Sequence, residues 1–163
     1  MFKTRLLTLL LTSIFIISCA KNFNRNPKDK FSISYIGGEF DGLLLKNTLK
    51  NQLNANNIYD QSSIYKIKSS INHHRDVFIT NIDNTSDRES VNTALNIEII
   101  NLNNECVLFK DEFSSSQFYI YASSDKLLSN QAALKKIKKD NTEKTVKMLI
   151  NEIKNLDFRC KDE

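Results

Sequence analysis

Glycine and histidine are scarce in this sequence, and both scarcities exclude chemistry. The 163 residues include three glycines, one proline, three cysteines and two histidines. Gly37-Gly38 is followed neither by Lys-Ser/Thr nor by the further glycine of a GxGxxG loop, so no backbone cradle for a nucleotide phosphate can be read here. No GxSxG elbow occurs, and Ser114-Ser115-Ser116 falls in a strand-like stretch with no histidine nearby. The histidines are adjacent, His73-His74, without HExxH or Cys/His spacing. Neighbours on a strand point to opposite faces, so the pair cannot share a metal unaided, and both read as solvent-facing residues at a strand end. Acid pairs such as Asp111-Glu112 alternate in the same way and read as solvated surface. The expectation is a protein with no catalytic residues, no metal and no cofactor. The rival is a periplasmic hydrolase, which would need a closed pocket holding His73 or His74 beside an acid.

No apolar run is long enough to cross a membrane stably, which takes roughly 20 residues. The longest, Leu6 to Ile17, is interrupted by Thr8, Thr12 and Ser13 and preceded by Lys3 and Arg5. That pattern is an export signal over residues 1–18. Ile16-Ile17-Ser18-Cys19 resembles the lipobox of bacterial lipoproteins, which implies cleavage before Cys19 and acylation of its thiol. Ala20 in place of Asp resembles the sorting pattern of lipoproteins sent to the outer membrane. The alternatives are an ordinary secretory signal with Cys19 an incidental thiol, or an uncleaved anchor. Losing the signal removes two of the 23 basic residues and none of the 19 acidic ones, leaving a net charge of +2, and nucleic acid is not indicated as a partner. Residues 19–30 hold four basic residues, Pro27 and Phe23 as the only large apolar side chain, and read as a lipidated tether reaching roughly 35 Å. Residues 31–163 then form one domain.

Within that domain, Phe31-Ser32-Ile33-Ser34-Tyr35 alternates apolar and polar as a half-buried strand does, and Gly37-Gly38 ends it. Leu45, Leu49 and Leu53 recur at helical spacing with Lys46, Lys50 and Asn54 beside them, until Asn56-Asn57 stops the helix. Ile64 to His73 is a second strand with Tyr65, Ile67 and Ile71 on one face. Val77-Phe78-Ile79 is less regular, and Asn84 to Glu89 reads as a loop or extended hairpin. Val91, Thr93, Leu95, Ile97 and Ile99 share a face of the next strand, Asn103-Asn104 turns the chain, and Val107, Phe109 and Phe113 face the core on return, with Asp111 an exception. Leu134, Ile137, Val146, Leu149, Ile150, Ile153 and Leu156 trace a long amphipathic helix that Asp140-Asn141 would bend or interrupt. One-sided strands require helices on one face only. The expected fold is therefore α+β, a mostly antiparallel four-stranded sheet with two helices packed on one face. A closing helix that runs back along the last strand brings Cys160 toward Cys106, and a disulfide between them follows in an oxidising compartment.

The lipobox, tether and element order together resemble the lipopolysaccharide-assembly lipoprotein family LptE. The most specific stretch runs from Asp87-Arg88-Glu89-Ser90-Val91 through Leu95 to Leu102, Asn103-Asn104 and Val107-Leu108-Phe109 into Phe118-Tyr119 and the closing helix. The sequence departs from many members in having Cys19-Ala20-Lys21, with Phe23 later, instead of a Cys-Gly-Phe start. The resemblance implies a lipid-anchored protein on the periplasmic face of the outer membrane, plugging and helping to assemble the LptD β-barrel during lipopolysaccharide transport and insertion. It also makes Lys66, Lys68 and Arg88 candidates for contact with lipopolysaccharide phosphates, against a reading as ordinary solvated side chains. The other binding role open to such a domain is that of an auxiliary lipoprotein of a lipid-transporting ABC system or an activator of a cell-wall synthase.

Overall fold

The computed structural model describes residues 29–79, 86–120, 127–158 and 160. The export signal, Cys19 and most of the tether lie outside them. The elements are β1 (Phe31–Gly37), α1 (Glu39–Ala55), β2 (Tyr65–Ile79), β3 (Ser86–Asn101), β4 (Cys106–Ile120) and α2 (Leu127–Ile153). The four strands lie in chain order; β1 and β2 are parallel, as a crossover through α1 permits, and the remaining pairs are antiparallel. Helix α1 packs on β1 and β2, α2 packs on β3 and β4, and the helices touch each other. Odd-numbered side chains of β2 and β3 (Ile67, Ile71, Leu95, Ile99) meet Leu45, Leu49 and Leu53 of α1 and Val146, Leu149 and Ile150 of α2 in one core. This is the α+β arrangement expected from the one-sided strands.

Gly38 makes the corner from β1 into α1. Its φ is +113°, and a Cβ there would lie 2.5 Å from the Ile71 carbonyl oxygen, so a side chain is excluded by strain and by space. At the other end of the sheet's long axis, Phe31, Tyr65 and Phe158 gather with ring centroids 4.9–6.1 Å apart. Beside them Cys106 and Cys160 are joined by a disulfide, their Cα atoms 5.7 Å apart. Closing a loop across 54 positions restricts the unfolded chain by an amount worth about 2–4 kcal/mol.

Four local readings of the sequence are corrected. A register shift between Ile33 and Tyr35 swaps faces, so Tyr35 pairs with Lys68 on the outer side and is 61% exposed, while Ile36 turns inward. A second shift, opposite Ile99 and Ile100, inserts Leu108 into the core in place of Val107. Strand β2 does not end at His73; it pairs with β3 as far as Ile79, and Ser86 to Glu89 belong to β3, in keeping with the extended-hairpin reading of that run. Helix α2 runs through Asp140-Asn141 unbroken. Asn141 is fully buried there because the sheet satisfies it: Oδ1 accepts from Ser115 Oγ (3.1 Å) and Gln117 Nε2 (2.8 Å), and Nδ2 donates to the Val91 carbonyl (2.9 Å). Asp111, the exception in β4, pairs with Ile97 on the edge strand and is exposed. A charge on the inward parity of an edge strand discourages further strand pairing.

Candidate functional site

The uncovered face of the sheet is polar along most of its length. Lys66, Lys68, Asn72, His74 and Asp76 of β2 lie beside Asn92, Asn96 and Glu98 of β3, and Lys110, Glu112, Ser114 and Ser116 of β4 complete the surface. Its side chains partner one another: across strands Lys68 Nζ lies 3.5 Å from Glu98 Oε2 and Asn92 Nδ2 donates to Asp76 Oδ2 at 2.5 Å, and along β2 His74 Nε2 lies 3.1 Å from Asp76 Oδ1. Such a face offers donors and acceptors to a wet surface without burying hydrocarbon.

Lys66 and Lys68 stand two positions apart on this face, and Lys68 already faces Glu98. Arg88 pairs with Phe78 and Ile120, ten strand positions beyond Lys68, or about 33 Å away. The three basic candidates therefore make no single cluster. Around Arg88 the face changes character. Phe78, Phe118 and Ile120 are 46%, 67% and 77% exposed, and the two rings sit 5.9 Å apart. An available signal was missed: Phe118 and Ile120 have the even parity of the polar face, so their exposure could be read from the alternation in β4.

The face under α2 holds another polar group near the β2–β3 hairpin. Glu89 is buried; its Oε2 accepts from the Tyr119 hydroxyl (2.5 Å) and lies 3.8 Å from Arg75 Nη1. Loss of water, followed by the hydrogen bond to Glu89 and its charge, pushes the Tyr119 hydroxyl up to about 12, with Arg75 opposing.

His73 is not solvent-facing, because β2 continues past it and α1 and α2 cover that stretch. Its side chain is fully buried, Nδ1 sits 2.7 Å from Thr93 Oγ1, and Nε2 points toward Asp41 Oδ2 at 4.0 Å. Lys138 Nζ donates to the same Asp41 oxygen at 2.8 Å, bridging the helices. His74, one residue on, is exposed as expected. An imidazole between a hydroxyl and a carboxylate invites comparison with a hydrolytic triad, but Thr93 is 2% exposed and no substrate can approach its oxygen in this arrangement. Above the cluster, Phe40, Asp41 and Leu44 of α1 and Leu134, Lys135 and Lys138 of α2 line an open groove of about 690 Å³.

No protein-family model matches the sequence, and no curated protein matches it. Solved structures do. Rare lipoprotein B from Shewanella oneidensis superposes with a TM-score of 0.55 at 9% identity, covering 78% of this chain and 98% of that one. A minor lipoprotein from Acinetobacter baumannii gives 0.55 at 12% identity, covering 77% and 91%. A candidate lipoprotein from Caulobacter crescentus gives 0.54 at 18% identity, covering 73% and 83%. The chain thus shares its fold with lipoprotein domains.

Proposed function

We propose that this chain is an outer-membrane lipoprotein of the LptE type, held by acyl chains on Cys19 at the periplasmic face and serving as plug and assembly partner of an LptD-like β-barrel in lipopolysaccharide transport and insertion. The observation that carries this reading is the likeness to rare lipoprotein B, a protein of LptE-like fold, over nearly the whole of that chain. Two features of the molecule support it. The lipobox ending in Cys19 supplies an anchor, and the polar outer face suits the wet lumen of a large barrel better than a dry interface. The protein works by binding and not by catalysis. Lys66, Lys68 and Arg88 are the cationic groups that lipopolysaccharide phosphates would meet, with Arg88 set among exposed aromatic and aliphatic side chains suited to an amphiphile.

Affinity purification of the acylated chain from detergent-solubilised membranes tests the reading. The expected result is recovery of a large β-barrel with the wild type and its loss with Cys19→Ser. Purification that recovers no barrel, or a chain that takes up no labelled palmitate, overturns it.

A further inference from the structure

One buried group plays no part in the docking role. The His73 side chain is buried, yet its Nε2 has no hydrogen-bond partner. Burying an unsatisfied polar nitrogen costs about 1–3 kcal/mol, and a core position of this kind would more simply hold an aliphatic residue. Three charged or polar groups face the ring, one from each element packed against it. Asp41 lies in the first turn of α1, Lys138 lies midway along α2, and Thr93 is its partner on β3. Along β2 the next residue of the same parity, Arg75, is turned to Glu89.

We propose that His73 is a proton-operated latch between the two helices: the neutral ring leaves the Asp41 carboxylate to Lys138, which ties α1 to α2, and the protonated ring takes that carboxylate and frees Lys138. The geometry supplies both states. Asp41 Oδ2 is 2.8 Å from Lys138 Nζ and 4.0 Å from His73 Nε2. A movement of about 1 Å brings an imidazolium N–H into charge-assisted hydrogen-bond range of the same oxygen. Both ring nitrogens are then donors: one meets the Thr93 oxygen and the other meets Asp41, so the orphaned nitrogen of the neutral state becomes satisfied. Asp41 and Lys138 both line the groove between the helices, so release of their bridge changes its wall.

Burial drives the His73 pKa below the ordinary histidine value, Asp41 pulls it back up, and Lys138 pushes it down. The fold therefore prefers the neutral ring. That preference leaves stability complete above about pH 6.5, the unfolded value, and erodes it as pH falls from there toward the lowered folded value.

Hydrogen exchange read by mass spectrometry on the full mature chain, corrected for intrinsic pH dependence, tests the latch. Amides of the first turns of α1 and of α2 around Lys138 should lose protection as pH falls below about 6.5, by up to about tenfold per pH unit, the slope of a one-proton step. His73→Gln should abolish that loss, and His74→Gln should leave it intact. Lys138→Gln should expose the same amides already at neutral pH. The proposal is overturned if the wild type shows no acid-dependent loss in these segments, or if His73→Gln retains it. If His73→Gln does not fold, Lys138→Gln decides: the open pattern at neutral pH supports the latch, and the closed pattern overturns it.

Discussion

The two ends of the sheet are held to their helices by different chemistry. At the disulfide end the layer between helix and sheet is hydrocarbon, with Leu49, Leu53, Ile58, Ile67, Ile99, Leu108 and Leu149 all at 0% exposure, closed by the aromatic trio and the Cys106–Cys160 bridge. Toward the β2–β3 hairpin the same layer is built from Asn141, Thr93, Ser115, Glu89, Tyr119 and His73, each joined by directed hydrogen bonds. Hydrocarbon contact is non-directional and is lost gradually with area. A hydrogen-bonded network has discrete arrangements, and a shared carboxylate such as Asp41 can change partners. One end is thus built to stay shut, and the other can switch without unfolding the domain.

The largest effect that sharpens this contrast is at the dry end. Leu49→Ala removes a fully buried side chain from the α1 layer, and denaturant unfolding should show a loss of about 2–5 kcal/mol. Asn141→Ala at the other end leaves the Val91 carbonyl, Ser115 and Gln117 short of a partner, for a loss of about 1–3 kcal/mol. Its exchange protection should fall locally along α2, whereas that of Leu49→Ala should fall throughout. A uniform loss from both variants would break the contrast. The smallest effect is on alkaline titration. With the Tyr119 hydroxyl raised to about 12, the stability it contributes is fully present below pH about 10, the unfolded value, and is lost as pH rises from there through the folded value. Stability measured across that range should decline less in Tyr119→Phe, and tyrosinate absorbance should lose its highest transition. A tyrosine spectrum with no late transition in the wild type would refute the coupling to Glu89.

Much of the fold was legible because spacing alone carries it. Leu45, Leu49 and Leu53 in α1, and Val91 through Ile99 in β3, recur with the period of their element, and no distant residue is needed to read them. What was misread depended on partners. The bulges at Ser34 and Leu108 arise from cross-strand register, and the length of β2 past His73 depends on its pairing with β3. Asn141 looks like a helix breaker in isolation and is a fastening point in the fold, because the groups that satisfy it lie 24 to 50 residues away in β3 and β4. The candidate outer face was legible in part. Lys66 and Lys68 fall on it as their parity requires, and Phe118 and Ile120 share that parity, while the separation of Arg88 from the lysines comes from strand length.

By itself the sequence determined the types of element, their order and, away from the bulges in β1 and β4, the side of each strand that would be covered, because apolar periodicity is a local property of a covalent chain. Tertiary structure alone decided which polar side chains went inside. His73, Asn141 and Glu89 are costly to bury unless partners from other elements arrive in register, and no local pattern records whether those partners come.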